Sequence, residues 1–126
     1  MFQDSRGPIE AFDWGEFTIA GKEHRKGKGA GKDVRVIGTE VSEWEERKGH
    51  LLTPDMITGV YKHGIEVLII GNGVHGLLEC PAKVREKIVA KGISEVRVLP
   101  TPDACREYNR LFHEGRKVAL LAHGTC

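Results

Sequence analysis

From Leu51 onward the sequence alternates short apolar segments with helix signals, and this alternation restricts the fold more than any other feature. Helices are predicted over residues 81–92, which begin at a proline and end at a glycine, and from the Thr-Pro-Asp at 101–103 to about residue 115. Strand–helix–strand–helix–strand predicts an α/β sheet with parallel connections, although the direction of the last strand stays open. The predicted strands are 65–70 (IEVLII), 94–99 (SEVRVL) and 116–123 (RKVALLAH).

A further helix is predicted immediately before this unit. Thr53 suits a helix cap, Pro54 suits the first helical position, and Asp55 suits the positive end of the helix dipole. The helix would run to about His63, with Gly64 in the left-handed position that often follows a helix.

The N-terminal half has extended patterns rather than helical ones. Apolar residues and glycines over 9–21 predict a β-hairpin, and residues 34–44 predict an irregular strand or ribbon. Residues 21–32 are basic and glycine-rich, so we predict a flexible loop there. The chain, residues 1–126, is predicted to form one domain with a mixed central sheet and this N-terminal β-ribbon added at one side.

Charge is balanced over the chain, with 19 lysines and arginines against 18 aspartates and glutamates. No overall field therefore attracts nucleic acid or an anionic membrane. The 21–32 loop is a local exception, because its cations could contact phosphates or an acidic protein. No aromatic residue is interleaved with them, so a solvated loop is preferred and no nucleic acid partner is expected. These cationic candidates are His24, Arg25, Lys26, Lys28 and Lys32.

No targeting signal or membrane span is predicted. Residues 1–10 lack an apolar segment and contain Asp4 and Glu10, unlike a secretory or transit peptide. The longest apolar run, residues 67–70, is far too short to cross a bilayer. Three cysteines without close spacing favour free thiols in a reducing compartment, so we expect a cytoplasmic protein and no membrane partner.

Residues 71–76 (GNGVHG) follow an apolar strand with the G-x-G-x-x-G spacing of a dinucleotide-binding loop. Such a loop opens directly into a helix whose amides hold the pyrophosphate, but here residues 77–80 intervene. Strand 94–99 is also not followed by an acid placed for a ribose, so a wide turn is the preferred interpretation. The GKGAGK segment at 27–32 departs from a phosphate-binding P-loop, and no cofactor is expected.

His123 and Cys126 form one H-x-x-C pair, and His75 and Cys80 lie near the end of a strand that could neighbour it. A structural zinc site normally contains two close pairs, so no metal site is predicted. Cys126 beside His123 or His75 is also a conceivable thiol nucleophile. Cys105 in the first turn of a helix could have a lowered pKa or could equally be a small buried side chain. No third orienting residue or oxyanion donor can be assigned, so no catalytic residue is predicted.

Four segments together are more specific than any single motif: IEAFDWGEFTIAGK (9–22), IEVLIIGNGVHG (65–76), GISEVRVLPT (92–101) and the whole of 101–126, which ends in His123-x-Thr125-Cys126. In these segments the chain resembles the Mth938-domain family, also called the DUF498 family. The resemblance implies a compact three-layer α/β fold with a mixed central sheet. It implies no catalytic residues, because none is established in the family to carry over.

The family's glycine turn corresponds to Gly71 and Gly73, with Asn72 at a variable place. Relatives include a mitochondrial complex I assembly factor and a cytosolic protein associated with adipogenesis. Those settings belong to particular lineages, so the resemblance implies the fold rather than a task.

Two functional hypotheses follow from the absence of a complete catalytic constellation. The preferred one is a small binding or assembly module that acts through contacts with an unknown protein partner. The alternative is an anion-binding protein or an enzyme whose site lies where the central strands end, since ligands of open α/β sheets settle there. The oligomeric state stays open. The candidate ligand-binding residues of the alternative are Gly71, Asn72, Gly73, His75 and Thr101.

Overall fold

The structure is a computed structural model that describes residues 1–126 and contains two β-sheets and two α-helices. A short 3-10 turn spans Pro54–Met56. The helices are α1 (Ala82–Ala90) and α2 (Thr101–His113). The strands are β1 (Phe2–Gln3), β2 (Ile9–Asp13), β3 (Glu16–Ile19), β4 (Lys22–His24), β5 (Asp33–Ile37), β6 (Glu40–Glu43), β7 (Val67–Asn72), β8 (Glu95–Leu99) and β9 (Val118–His123).

The central sheet has five strands in the order β6-β5-β9-β7-β8. Strand β7 lies between β8 and β9 and is parallel to both, which resolves the direction of the last strand. Strand β5 is antiparallel to β9, and β6 is antiparallel to β5. The predicted mixed sheet and the predicted β-α-β-α-β order of the C-terminal half are therefore confirmed.

The N-terminal ribbon forms a second, antiparallel sheet in the order β1-β2-β3-β4. The predicted hairpin corresponds to β2 and β3, where the rings of Phe12 and Phe17 stack with centroids 4.6 Å apart. Helix α2 holds this sheet through Asn109, whose amide donates to the Ile9 carbonyl at 2.8 Å and accepts from the Ile9 N–H at 2.9 Å. The Asn109 side chain thus supplies the hydrogen bonds that a neighbouring strand would otherwise make.

Side chains of β7 alternate between two apolar cores, one on each face of the central sheet. Val67 and Ile69 face the core shared with α2 and the N-terminal sheet. Leu68 and Ile70 face the core shared with α1 and the segment around Trp44. The central sheet is therefore the middle of three layers, and β7 and β9 are apolar over most of their length because both of their faces are covered.

The helix predicted from Thr53 to about residue 63 is wrong, since only the 3-10 turn forms there. The Thr53 hydroxyl bonds the Asp55 carboxylate instead of capping the backbone. The Met56 carbonyl accepts from the Trp44 indole at 2.8 Å, and the Thr58 carbonyl accepts from the Arg35 guanidinium at 2.7 Å. Tertiary contacts thus take the carbonyls that helical bonds would use, and they override a good start signal.

The predicted loop 21–32 contains β4, which adds an edge strand to the N-terminal sheet. His24 is buried, and its Nδ1 accepts a 2.8 Å hydrogen bond from the backbone N–H of Ala30. Ala30 itself packs into the core between the sheets. The cationic side chains of this segment are therefore carried on a backbone that is attached to the core at two points.

Candidate functional site

Thr101 is fully buried at the start of α2 and joins the ends of β7 and β9. Its hydroxyl accepts from the Gly73 N–H at 2.9 Å and donates to the His123 carbonyl at 2.7 Å. Its own N–H donates to the Gly73 carbonyl at 3.0 Å. A Cβ on Gly71 would meet the Thr101 hydroxyl at 3.0 Å. Three of the predicted site residues are thus brought together in one closed hydrogen-bonded junction.

The segment Gly124–Cys126 fills the space beside this junction. The Thr125 carbonyl accepts from the Val74 N–H at 2.6 Å, and the Cys126 carbonyl accepts from the Leu77 N–H at 3.2 Å. Gly73 has a φ of +102°, and a Cβ there would overlap the Cys126 backbone. The glycine turn therefore wraps around the chain's own backbone, which occupies the place where the sequence predicted a crevice.

The other two predicted site residues lie further out. Asn72 is half-buried, and its Oδ1 is buried without a hydrogen-bond partner. His75 is exposed, and its ring centroid lies 5.9 Å from that of Trp14. Of the five predicted residues, His75 is the one whose side chain faces solvent.

A buried histidine–carboxylate pair lies on the other side of β9. His123 is the last residue of β9 and is 2% exposed. Its Nδ1 lies 2.9 Å from Oδ1 of Asp33, which is opposite it in the antiparallel register of β5 and β9. The same carboxylate accepts from the Gly124 N–H at 3.0 Å and from the Arg47 guanidinium at 2.8 Å.

The electrostatics of this pair fix the orientation of the imidazole. Burial acts to raise the pKa of Asp33, but hydrogen bonds from His123, Gly124 and Arg47 outweigh it and hold that pKa below its usual value. An ionised carboxylate only accepts hydrogen bonds, so Nδ1 of His123 is the donor. In the neutral ring, Nε2 then keeps its lone pair and points away from Asp33.

The thiol of Cys126 lies between two imidazoles. Its Sγ is 3.2 Å from Nε2 of His50 and 3.9 Å from Nε2 of His123. The potential ligand atoms of these three residues all lie within 4.8 Å of one another. We call His50, His123 and Cys126 the His-Cys cluster. Two imidazole nitrogens and a thiol can together hold a cation of the zinc class.

The structure changes which residues accompany His123 and Cys126. His50 takes the place that sequence reasoning considered for His75 and Cys80, and Asp33 is the orienting residue that no local pattern indicated. Asp33 carried one weak signal, an acid at the start of an apolar strand. Of the two alternatives for Cys105, the structure supports a small buried side chain, because complete burial in α2 raises the pKa of its thiol far above the usual range. Burial also raises the pKa of Cys80.

Three large apolar side chains are exposed on the segments that surround Cys126, and we call them the apolar rim: Trp14, Leu51 and Leu77, which are 49%, 52% and 53% exposed. Trp14 precedes Gly15, whose N–H donates to the Gly124 carbonyl at 2.6 Å. Leu77 donates its N–H to Cys126, and Leu51 follows His50 in sequence. Isolated exposed apolar residues are ordinary, but three around one segment define a surface.

A shallow groove next to Trp14 carries a local excess of positive charge. Glu16 is its single acid, and Trp14, Gly15 and Thr125 complete the lining. None of the three cations in the groove has a carboxylate partner in the structure. We call these cations the basic groove: Arg25, Lys26 and Lys32.

Neither helix has the length and apolarity that crossing a membrane requires.

Similar proteins of known structure share this architecture. The conserved hypothetical protein PH1505 from Pyrococcus horikoshii OT3 is 21% identical with a TM-score of 0.76, and the match covers 94% of this chain and 98% of that one. A Bartonella henselae protein described as an outer membrane protein is 30% identical with a TM-score of 0.75, covering 94% of this chain and 95% of that one.

A Bordetella pertussis protein described as a Mth938-like domain is 18% identical with a TM-score of 0.61, covering 92% of this chain and 84% of that one. Residues 9–123 match the model of a family described as a protein of unknown function, DUF498/DUF598. The chain therefore belongs to the DUF498/DUF598 family and has the Mth938-like fold.

Proposed function

We propose that this protein is a binding module that recognises an acidic segment of a partner protein through the apolar rim and the basic groove. The observation that carries the proposal is the side-by-side placement of exposed Trp14, whose ring is tilted against that of His75, and three cations without carboxylate partners. The proposal keeps His75, a residue selected from the sequence, as part of the contact surface.

Trp14 supplies the apolar anchor of this surface. It lies in the turn between β2 and β3, where its N–H donates to the Asp13 carboxylate at 2.7 Å and half of its side chain remains exposed. A large exposed aromatic ring gains most when a partner removes it from water, and tryptophan is enriched among residues that dominate binding energy. Leu77 and Leu51 extend the apolar area toward His50.

The charge of the basic groove determines which kind of partner segment would bind. Lys28 is paired with Glu23 at 3.8 Å and is partly neutralised, whereas Arg25, Lys26 and Lys32 have no such partner. Cations at the edge of an interface steer association and select against partners of the wrong charge. A complementary segment therefore carries aspartates or glutamates beside at least one bulky apolar residue.

The alternative of a small-anion site at the start of α2 has less support. There the Thr101 hydroxyl and N–H both bond protein atoms, and Gly124–Cys126 lies against the glycine turn. An anion at that helix end would need those contacts to open. We therefore treat a free small anion in the basic groove as one outcome of the binding experiment.

The test is a selection from a displayed library of random linear peptides on the immobilised full chain. Enriched peptides are expected to combine acidic residues with a bulky apolar one. A synthetic enriched peptide should lose about tenfold or more in affinity against Trp14→Ala, measured by calorimetry. The double charge reversal Lys26→Glu with Lys32→Glu should weaken binding by a similar factor and make it less dependent on salt.

The matched control is Lys83→Glu with Lys87→Glu, which makes the same change in net charge on exposed positions of α1. It should leave the affinity unchanged. Enriched peptides without acidic residues, equal binding to Trp14→Ala, or no enrichment over empty matrix would each overturn the proposal. Tight binding of inorganic phosphate or citrate with the same dependence on Lys26 and Lys32 would assign the groove to a small anion instead.

A further inference from the structure

We infer that the His-Cys cluster binds a divalent transition-metal cation of the zinc class, with three ligands from this chain and one open position. The inference rests on other residues than the proposed protein contact, because His50, His123 and Cys126 belong neither to the apolar rim nor to the basic groove. It is carried by the convergence of three ligand atoms and by the carboxylate that orients one of them.

The distances suit tetrahedral coordination. Metal–sulfur bonds of about 2.3 Å and metal–nitrogen bonds of about 2.0 Å place a thiolate roughly 3.5 Å from an imidazole nitrogen at the tetrahedral angle. The two Sγ–Nε2 separations, 3.2 Å to His50 and 3.9 Å to His123, bracket that value. The most widely separated pair of ligand atoms lies within 4.8 Å, and His50 is exposed, so its side chain can close the remaining gap.

His123 has the second partner that metal-binding histidines usually have. Its Nδ1–H donates to Asp33, which fixes the ring and leaves Nε2 as the ligand atom. Asp33 is fixed in turn by Arg47 and by the Gly124 N–H. The Thr125 hydroxyl lies 3.4 Å from the same Nε2 and is the group that a cation would replace.

A role for Cys126 as an acyl-transfer nucleophile has less support from the same geometry. The oriented imidazole is 3.9 Å from the thiol, further away than His50. The nearby N–H groups of Val74 and Leu77 donate to the carbonyls of Thr125 and Cys126, so they are not free to stabilise an oxyanion. Metal binding uses the convergence of all three side chains, whereas a nucleophile needs only one of the two imidazoles as its base.

Coordination is a simple exchange. The cation takes the place of the thiol proton of Cys126, which passes to solvent, and forms bonds to Sγ and the two imidazole nitrogens. His50 and Cys126 are at least partly exposed, so the cation can enter from solvent. A water molecule completes the tetrahedron, as in zinc sites that keep an open position.

The test is a titration of the reduced full chain with Co²⁺ alone, followed by absorption spectroscopy. We expect one Co²⁺ per chain, a thiolate charge-transfer band in the near ultraviolet and the intense visible bands of tetrahedral cobalt. Zn²⁺ should displace it. Cys126→Ser should lose the charge-transfer band, and His50→Ala should weaken binding at least tenfold. Both residues lie at the surface end of the cluster, and circular dichroism verifies that both variants fold.

Asp33→Asn tests the positioning role of the carboxylate. Loss of the group that orients a metal-binding histidine typically weakens metal binding about 10- to 100-fold. Cys80→Ser and His63→Ala are the controls, because they remove a thiol and an exposed imidazole outside the cluster. They should leave the titration unchanged. The inference is overturned by a wild-type spectrum of six-coordinate cobalt without charge transfer, by a wild-type spectrum that Cys126→Ser reproduces, or by one Co²⁺ shared between two chains.

Discussion

At the scale of single residues, buried polar side chains make the hydrogen bonds that join one element to another. Thr101, Asn109 and Asp33 each accept from a backbone N–H that lies far away in sequence, and each is buried. Buried polar groups of this kind are satisfied only in one arrangement of the elements, so they select a single geometry as well as stabilise it.

Replacing Thr101 by valine should show how much one such residue contributes. The substitution keeps the shape but leaves the Gly73 N–H and the His123 carbonyl without their partner in a buried place. We expect a loss of about 2–4 kcal/mol in the free energy of unfolding, measured by denaturant titration. Thr101→Ser keeps the hydroxyl and should lose clearly less. Equal losses in the two variants would show that the methyl group contributes as much as the hydroxyl and would contradict this assignment.

At the scale of elements, the sequence predicts well where local pattern and packing agree. Strands β8 and β9 and helices α1 and α2 lie within the predicted segments, because apolar periodicity there reports the faces that are buried. Strand β7 overlaps the predicted strand 65–70 but continues to Asn72, into the predicted glycine turn. The prediction from sequence fails at residues 53–63, where the side chains of Trp44 and Arg35 bond the backbone carbonyls. It also fails at β4, whose pairing depends on the neighbouring strand β3.

The residues of the candidate site, too, could be predicted only where they lie close together in the sequence. The H-x-x-C pair is visible because its two members are close in sequence. Asp33 reaches His123 only through the antiparallel pairing of β5 with β9, and His50 reaches Cys126 from the loop between β6 and the 3-10 turn. Contacts between such distant positions depend on the sheet order, which no short pattern records.

Strand β4 should make the stability of the fold sensitive to mild acid. Burial and the charge of Lys22 lower the pKa of His24 from its ordinary value of 6.5, so the folded state prefers the neutral ring that accepts from Ala30. Between the two pKa values the unfolded chain binds more protons. The stabilisation is thus complete above pH 6.5 and is lost as the pH falls toward and through the lowered value.

The measurement compares the free energy of unfolding at about pH 7 and about pH 5 for the wild type and His24→Gln, which cannot be protonated. The wild type should lose more stability over this interval, since the two proteins differ only at position 24. His63→Gln removes an exposed imidazole and should keep the wild-type dependence. Parallel curves for the wild type and His24→Gln would contradict the assignment.

At the scale of the whole molecule, one short segment connects the two sheets with the glycine turn. Gly124 bonds both Gly15 in the N-terminal sheet and Asp33 in the central sheet, and Thr125 bonds Val74 in the turn. The strand ends are therefore closed from three sides. Because Gly124–Cys126 covers the start of α2, the surface available for binding lies further out, at the apolar rim and the basic groove.

Adding a methyl group at Gly73 should open this closure. Gly73 and Gly92 have nearly the same φ, +102° and +106°, so Gly→Ala imposes similar backbone strain at both. At Gly92 the new Cβ meets nothing within 4 Å, whereas at Gly73 it overlaps the Cys126 backbone. We expect a loss of about 1 kcal/mol in the free energy of unfolding for Gly92→Ala and about 3 kcal/mol or more for Gly73→Ala.

Hydrogen exchange at the Val74 and Leu77 amides should accelerate in Gly73→Ala alone, because their acceptors lie in the displaced segment. Equal losses with unchanged exchange at these two amides would show that Gly124–Cys126 contributes nothing to holding the strand ends together.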